Sequence, residues 1–246
     1  GVEVFHAGLI GEEGDLLLDT CKKGGVQVDY IRRVPGKSGH TIIQVDRNGQ
    51  NCILLYGGAN QSVTKEYVDE VLAHFEKGDL LLLQNEVNLL DYVIDRAYEK
   101  GMMIVLNPSP YNEKLEACDF GKISMFLLNE IEGAQVTGEE EPEKILEILK
   151  AKYPHAKVVL TLGKDGSIYQ DQGKICRQGI YPVKTVDTTA AGDTFTGYFL
   201  SSIIRGMSVE AGLRLAAKAS SIAVSRKGAA PSIPEREEVE QALKGD

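Results

Sequence analysis

Short apolar runs alternate along the chain with stretches whose apolar positions recur every three to four residues. The runs at 2–6, Leu80–Gln84, Met103–Asn107, Met125–Asn129 and 158–162 read as strands. They are apolar throughout rather than at every second position, as expected of parallel strands covered on both faces by crossover helices. Residues 12–23 carry helical periodicity and stop at Gly24-Gly25, which tolerate a left-handed cap. Thr64 can cap a helix whose Val68, Val71, Leu72 and Phe75 share a face, with Gly78 at its end. Further helices are expected up to Lys100-Gly101, after Asn129, and over Pro142–Lys152, 192–205, 208–225 and 235–243. The alternation predicts a layered α/β protein.

One segment breaks the rhythm. Residues 40–46 and Asn51–Tyr56 flank Asn48-Gly49, a strong signal for a two-residue hairpin turn. Its arms are apolar on both faces (Ile42, Ile43, Val45; Ile53, Leu54, Leu55). A lone hairpin is marginal in water, so this one is expected to pack on something or to share a projecting sheet.

The chain has 246 residues, long enough to bury a core without disulfides or metal. With 36 acidic and 27 basic side chains its formal net charge is −9. No basic run offers a footprint for a phosphate backbone, which argues against nucleic acid as a partner. The apolar runs fall far short of the ~20 residues of a membrane span, and no start resembles a signal peptide. The four cysteines show no CxxC spacing and read as unpaired residues of a reducing compartment, the cytoplasm. The acidic residues at 139–143 surround Pro142 at a helix start, where carboxylates favour the dipole, so they read as a solvated cap.

Two decoys fall away. Gly36-Lys37-Ser38 resembles the end of a Walker A loop, but Ile31 stands where the motif needs its first glycine, and a strand follows. No GxGxxG occurs, and the four histidines lack metal-binding spacing.

The informative stretch is Val186-Asp187-Thr188-Thr189-Ala190-Ala191-Gly192-Asp193-Thr194-Phe195-Thr196-Gly197. Ala190, Ala191 and Gly192 leave first-turn amides open to a close-approaching anion. A carboxylate at Asp193 would repel that anion if it only bound phosphate. It is well placed to accept a proton from a hydroxyl attacking phosphorus. The plainer alternative is an acid that simply favours the helix dipole.

This stretch resembles the C-terminal signature of the PfkB (ribokinase-like) family of sugar kinases. Other segments follow in the family's order: Tyr56-Gly57-Gly58-Ala59-Asn60, Asn107-Pro108-Ser109-Pro110, Asn129-Glu130-Ile131-Glu132, Thr161-Leu162-Gly163-Lys164-Asp165-Gly166 and Arg226-Lys227-Gly228-Ala229-Ala230-Pro231-Ser232. The likeness covers essentially the whole chain, and the ribose-specific branch is nearest. It implies one α/β domain over 1–246, a three-layer α/β/α sandwich with a mainly parallel central sheet. The 40–57 hairpin would be the remnant of a small β lid.

The resemblance implies ATP-dependent transfer of a phosphoryl group to a sugar's primary hydroxyl, with D-ribose the expected acceptor. Fructose, 2-keto-3-deoxygluconate or a nucleoside are the alternative acceptors within the family, and a non-catalytic family relative that binds nucleotide or sugar, or an inactive fragment, is the alternative of a different class. Asp193 would be the base, with the amides of Ala190, Ala191 and Gly192 as anion hole. Asn129 and Glu132 would organise Mg²⁺ through water, although Asn129 alone reads more often as a helix cap. Asn129, Thr161, Gly163, Gly166 and Gly192 would line the nucleotide, although Lys164-Asp165-Gly166 alone reads as a hairpin turn. Asp187, Thr189, Ala223, Arg226, Gly228 and Ser232 match the positions around the family's K⁺ site. Glu86 matches an acid that holds a sugar hydroxyl, or is an exposed loop carboxylate. The family's Asn-x-Asp segment and Gly-Gly-Lys-Gly-x-Asn sugar motif are not in this sequence, which reads as N-terminally truncated. Relatives that clasp through their lids raise a homodimer.

Overall fold

Phe5–Ile10 (β1) and Gln27–Arg33 (β2) pair in parallel, and the helix Asp15–Lys23 (α1) supplies the crossover that such a pair requires. The computed structural model describes residues 1–45 and 51–245. It divides into two compact units, Glu3–Ile104 with Ser109–Ile123, and Gly1–Val2 with Val105–Pro108 and Ser124–Asp246.

In the first unit, β1 lies later than the expected 2–6. Its buried residues are Leu9 and Ile10, at the end of the strand. α1 begins at Asp15 rather than 12, because the chain beyond β2 holds the two preceding acids. The Glu12 N–H donates to the Gly36 carbonyl (3.0 Å), and Glu13 Oε1 accepts from the Ser38 N–H (2.8 Å). α1 ends as expected, with Gly25 at φ +74°. β2, with four charged or amide side chains in Gln-Val-Asp-Tyr-Ile-Arg-Arg, escapes a search for apolar runs.

His40–Val45 (β3) and Asn51–Tyr56 (β4) form a separate antiparallel pair, in register from His40 with Tyr56 to Val45 with Asn51. The Asn48-Gly49 turn lies outside the described residues. Ile42, Leu54, Leu55 and Tyr56 are each more than half exposed. Lys65–Ala73 (α2) is capped by Thr64, whose Oγ1 accepts from the Tyr67 N–H, and buries Val68, Val71 and Leu72. Leu80–Gln84 (β5), Leu90–Glu99 (α3) and the start of Met103–Asn107 (β6) follow.

The second unit takes over midway along β6. Met125–Asn129 (β7) pairs in parallel with β6 and with Lys157–Thr161 (β8). Val158, Val159 and Leu160 are 2%, 0% and 0% exposed. Neighbouring strand residues point to opposite faces, so three buried in succession mean that both faces are covered. Glu130–Thr137 (α4) and Pro142–Lys152 (α5) link β7 to β8. The chain then reverses. Ser167–Gln170 (β9) runs antiparallel to β8, and Ile175–Gln178 (β10) antiparallel to β9. Ala191–Ile204 (α6), Val209–Val224 (α7) and Arg236–Lys244 (α8) complete the unit, each within a residue or so of expectation. Among the described residues no helix is long and apolar enough to cross a membrane.

Candidate active site

Ala190 sets the mouth of α6. It is the N-cap, in the left-handed region (φ +60°, ψ 15°), where a side chain costs about 1–2 kcal/mol and only glycine sits freely. The turn is closed from both sides: the Ala191 N–H donates to the Thr188 carbonyl (3.2 Å), and the Thr194 N–H to the Ala190 carbonyl (2.9 Å). The Ala191 amide is therefore engaged within the loop, which narrows the expected anion hole towards Gly192. A Cβ built on Gly192 meets nothing within 4 Å, so the side of its Cα that a side chain would fill is open. Gly192 has no need of positive φ. Asp193 follows in the first helical turn with an exposed side chain.

The loop before α6 is tied down by Asp187. Its Oδ1 accepts from the Thr189 N–H and its Oδ2 from the Gly228 N–H, both at 2.9 Å. The Thr189 hydroxyl, with the Gly228 and Thr189 amides, pulls this carboxyl down to about 2. The Val224 carbonyl accepts from both Val186 (2.8 Å) and Asp187 (3.1 Å) N–H groups. Backbone acceptors such as Val224 leave no mark in a sequence.

A second group of site residues stands at strand ends. Asn129 and Thr161 are register partners at the ends of β7 and β8. Asn129 caps α4 in a full capping box: its Oδ1 accepts from the Glu132 N–H (2.9 Å), and Glu132 Oε2 accepts from the Asn129 N–H (3.0 Å). Asn129 Nδ2 also donates to Glu132 Oε1 (3.1 Å), and Glu132 is buried. After β8 the chain makes the hairpin turn into β9, with Gly163 at φ +51° and Gly166 at φ +91°. A Cβ on Gly166 would lie 2.1 Å from the Gln178 carbonyl oxygen. Gly166 is thus required by the approach of its own chain, not only by a ligand.

Residues 1–236 match the pfkB family carbohydrate kinase model. The chain belongs to this family. It is 34% identical to the ribokinase of Bacillus subtilis (strain 168), over 99% of this chain and 82% of the relative. Among solved structures it is similar to Thermotoga maritima ribokinase (31% identity, 98% and 81% of the two chains, TM-score 0.81). It is also similar to Arabidopsis thaliana ribokinase complexed with ribose and ATP (31%, 98% and 82%, TM-score 0.82). The fold is the α/β, ribokinase-like one.

As a pfkB carbohydrate kinase, the protein keeps most of its expected cation-site residues in one place. Asp187, Thr189 and Gly228 are bonded together, and the Arg226 N–H donates to the Ala223 carbonyl (3.0 Å). The Arg226 guanidinium instead pairs with Glu238 of α8. Ser232 is fully buried and its Oγ donates to the Ala229 carbonyl (2.7 Å), within its own turn. A donor set of carbonyls and one carboxylate suits a large, weakly hydrated monovalent cation. Among the described residues no three His, Cys, Asp or Glu side chains converge as a metal cage. Glu86 belongs to the other unit, in the exposed turn after β5, where its carbonyl accepts from Gln61 Nε2 (2.9 Å).

Proposed function

We propose that the protein transfers the γ-phosphoryl group of ATP to the primary hydroxyl of D-ribose, giving ribose 5-phosphate. The observation that carries this reading is the carboxylate of Asp193 in the first turn of α6, next to Gly192, where a side chain would meet open space. Ribokinases similar along nearly the whole chain support the acceptor and the donor.

Asp193 accepts the proton of the attacking hydroxyl as the oxygen–phosphorus bond forms. The positive end of α6 and the Gly192 N–H stabilise charge on the transferring phosphoryl group, and ADP leaves. Thr161 and Gly163 line the nucleotide, and Glu86 holds a sugar hydroxyl. Asn129 and Glu132 would hold Mg²⁺ through water, and the ion would supply neutralisation of charge on the nucleotide phosphates. K⁺ would sit among Asp187, Thr189, Ala223, Arg226, Gly228 and Ser232 and help fix the loops on either side. The β3–β4 hairpin, with its exposed Ile42, Leu54 and Leu55, is the remnant of the family's lid and the contact of a homodimer. The free thiols of Cys21, Cys118 and Cys176 suit a reducing cytoplasm.

Asp193→Asn keeps the shape and removes the base. Turnover with ATP and ribose should fall by about 10²–10⁴, with ATP affinity by calorimetry within a few-fold of wild type. Turnover close to wild type would remove Asp193 from the mechanism. A panel with fructose, 2-keto-3-deoxygluconate and nucleosides, read by ADP release, tests the acceptor.

A further inference from the structure

Serines inside helices ordinarily return their hydroxyl to a carbonyl of their own helix. Ser201 and Ser202 of α6 both donate to Tyr198, Ser221 of α7 donates to Lys218, and Ser225, its C-cap, donates to Ile222. Ser220 does otherwise. Its Oγ crosses from α7 to the carbonyl of Ala191, in the first turn of α6, at 3.0 Å.

That carbonyl shares one peptide plane with the Gly192 N–H. The unit is rigid and trans, so the C=O and the N–H point in opposite directions. A donor fixed on the oxygen therefore aims the N–H the other way, and polarises it as each bond in a chain strengthens the next. Resting on the kinase reading above, we propose that Ser220 is a positioning residue for phosphoryl transfer, aiming and sharpening the Gly192 amide against the transferring phosphate. Ser220 touches neither nucleotide nor sugar in this role. It acts through the 191–192 peptide, and the strained cap at Ala190 makes such an outside anchor useful.

The test compares wild type, Ser220→Ala and Ser220→Thr of the whole chain by steady-state kinetics, thermal melting and the ¹H–¹⁵N resonance of Gly192. Ser220→Ala should lower kcat about 3- to 10-fold, as expected for one lost hydrogen bond acting on the transition state. The KM for ATP and for ribose should change little. The Gly192 amide proton should move upfield, and Ser220→Thr should restore both readouts in part. An unmoved Gly192 resonance with unchanged kcat overturns the proposal, as does a loss confined to melting temperature. If the wild type turns over no sugar, the kinase reading fails. Inorganic phosphate titrated onto wild type and Ser220→Ala then decides the role of Ser220: it stands if the Gly192 shift is weakened in the variant, and falls if the two titrations coincide.

Discussion

The carboxylate of Asp187 and the amide of Gly228, 41 residues apart in sequence, meet at 2.9 Å and clip the loop before α6 to the loop after α7. Everything at the mouth of α6 is framed by this contact and by the paired bonds to the Val224 carbonyl. The clip has a pH signature. The folded-state value of Asp187 lies at about 2, below its ordinary 3.8. Its stabilisation is therefore fully present above pH ~4 and is lost as pH falls through ~2. Melting temperatures of wild type and Asp187→Asn should converge between those limits and stay apart above them. Parallel curves throughout would show that the carboxylate contributes nothing.

Glycines 192 and 166 should respond in opposite ways. Gly192→Ala adds a methyl that collides with nothing and gains helix propensity of about 0.5–1 kcal/mol. The variant should melt no lower than wild type but lose turnover, since the methyl occupies the space an anion needs. Gly166→Ala puts a carbon 2.1 Å from the Gln178 carbonyl at φ +91°, and should lose more than ~2 kcal/mol of stability. Melting curves and ADP release on both variants check the split. Full turnover in Gly192→Ala would close the anion site proposed there.

Ala190 holds a left-handed conformation without glycine's freedom. Ala190→Gly should raise stability by about 0.5–1 kcal/mol, strain relief outweighing the entropy of the freer unfolded chain. Ala190→Val, β-branched, should lower it. Urea unfolding of the three proteins gives the order, and a destabilised glycine variant would mean the cap is not strained.

Asn129 carries a structural duty beside any role toward the nucleotide. Asn129→Ala removes the α4 cap and should destabilise the fold by about 1 kcal/mol. Glu132, buried, also loses a donor. Denaturant titration measures the loss, and any drop in turnover is then read on folded protein only.

Much of this was legible in advance because the signals are local. β6, β7 and α5 begin and end where their apolar runs, Pro142 and the flanking polar residues place them. The Thr64 cap and the Gly24-Gly25 stop are likewise local chemistry. β2 and β10 were not legible: both are rich in polar residues, and only their pairing partners make them strands. The Asn129–Glu132 spacing allowed both a capping box and a ligand pair; the bonds present are those of the box.

By itself the sequence determined the alternation of strands and helices, the small-residue turn that opens α6 and the acid that follows it. These depend on neighbours within a few residues, whose sterics and hydrogen bonds act at once. Only the tertiary structure decided that the Ala191 amide is engaged within that turn, that Gly166 answers to its own chain, and that Ser220 reaches Ala191 rather than its own helix. Each of those facts depends on backbone atoms brought together from distant positions, and a backbone carbonyl looks the same whichever side chain it bears.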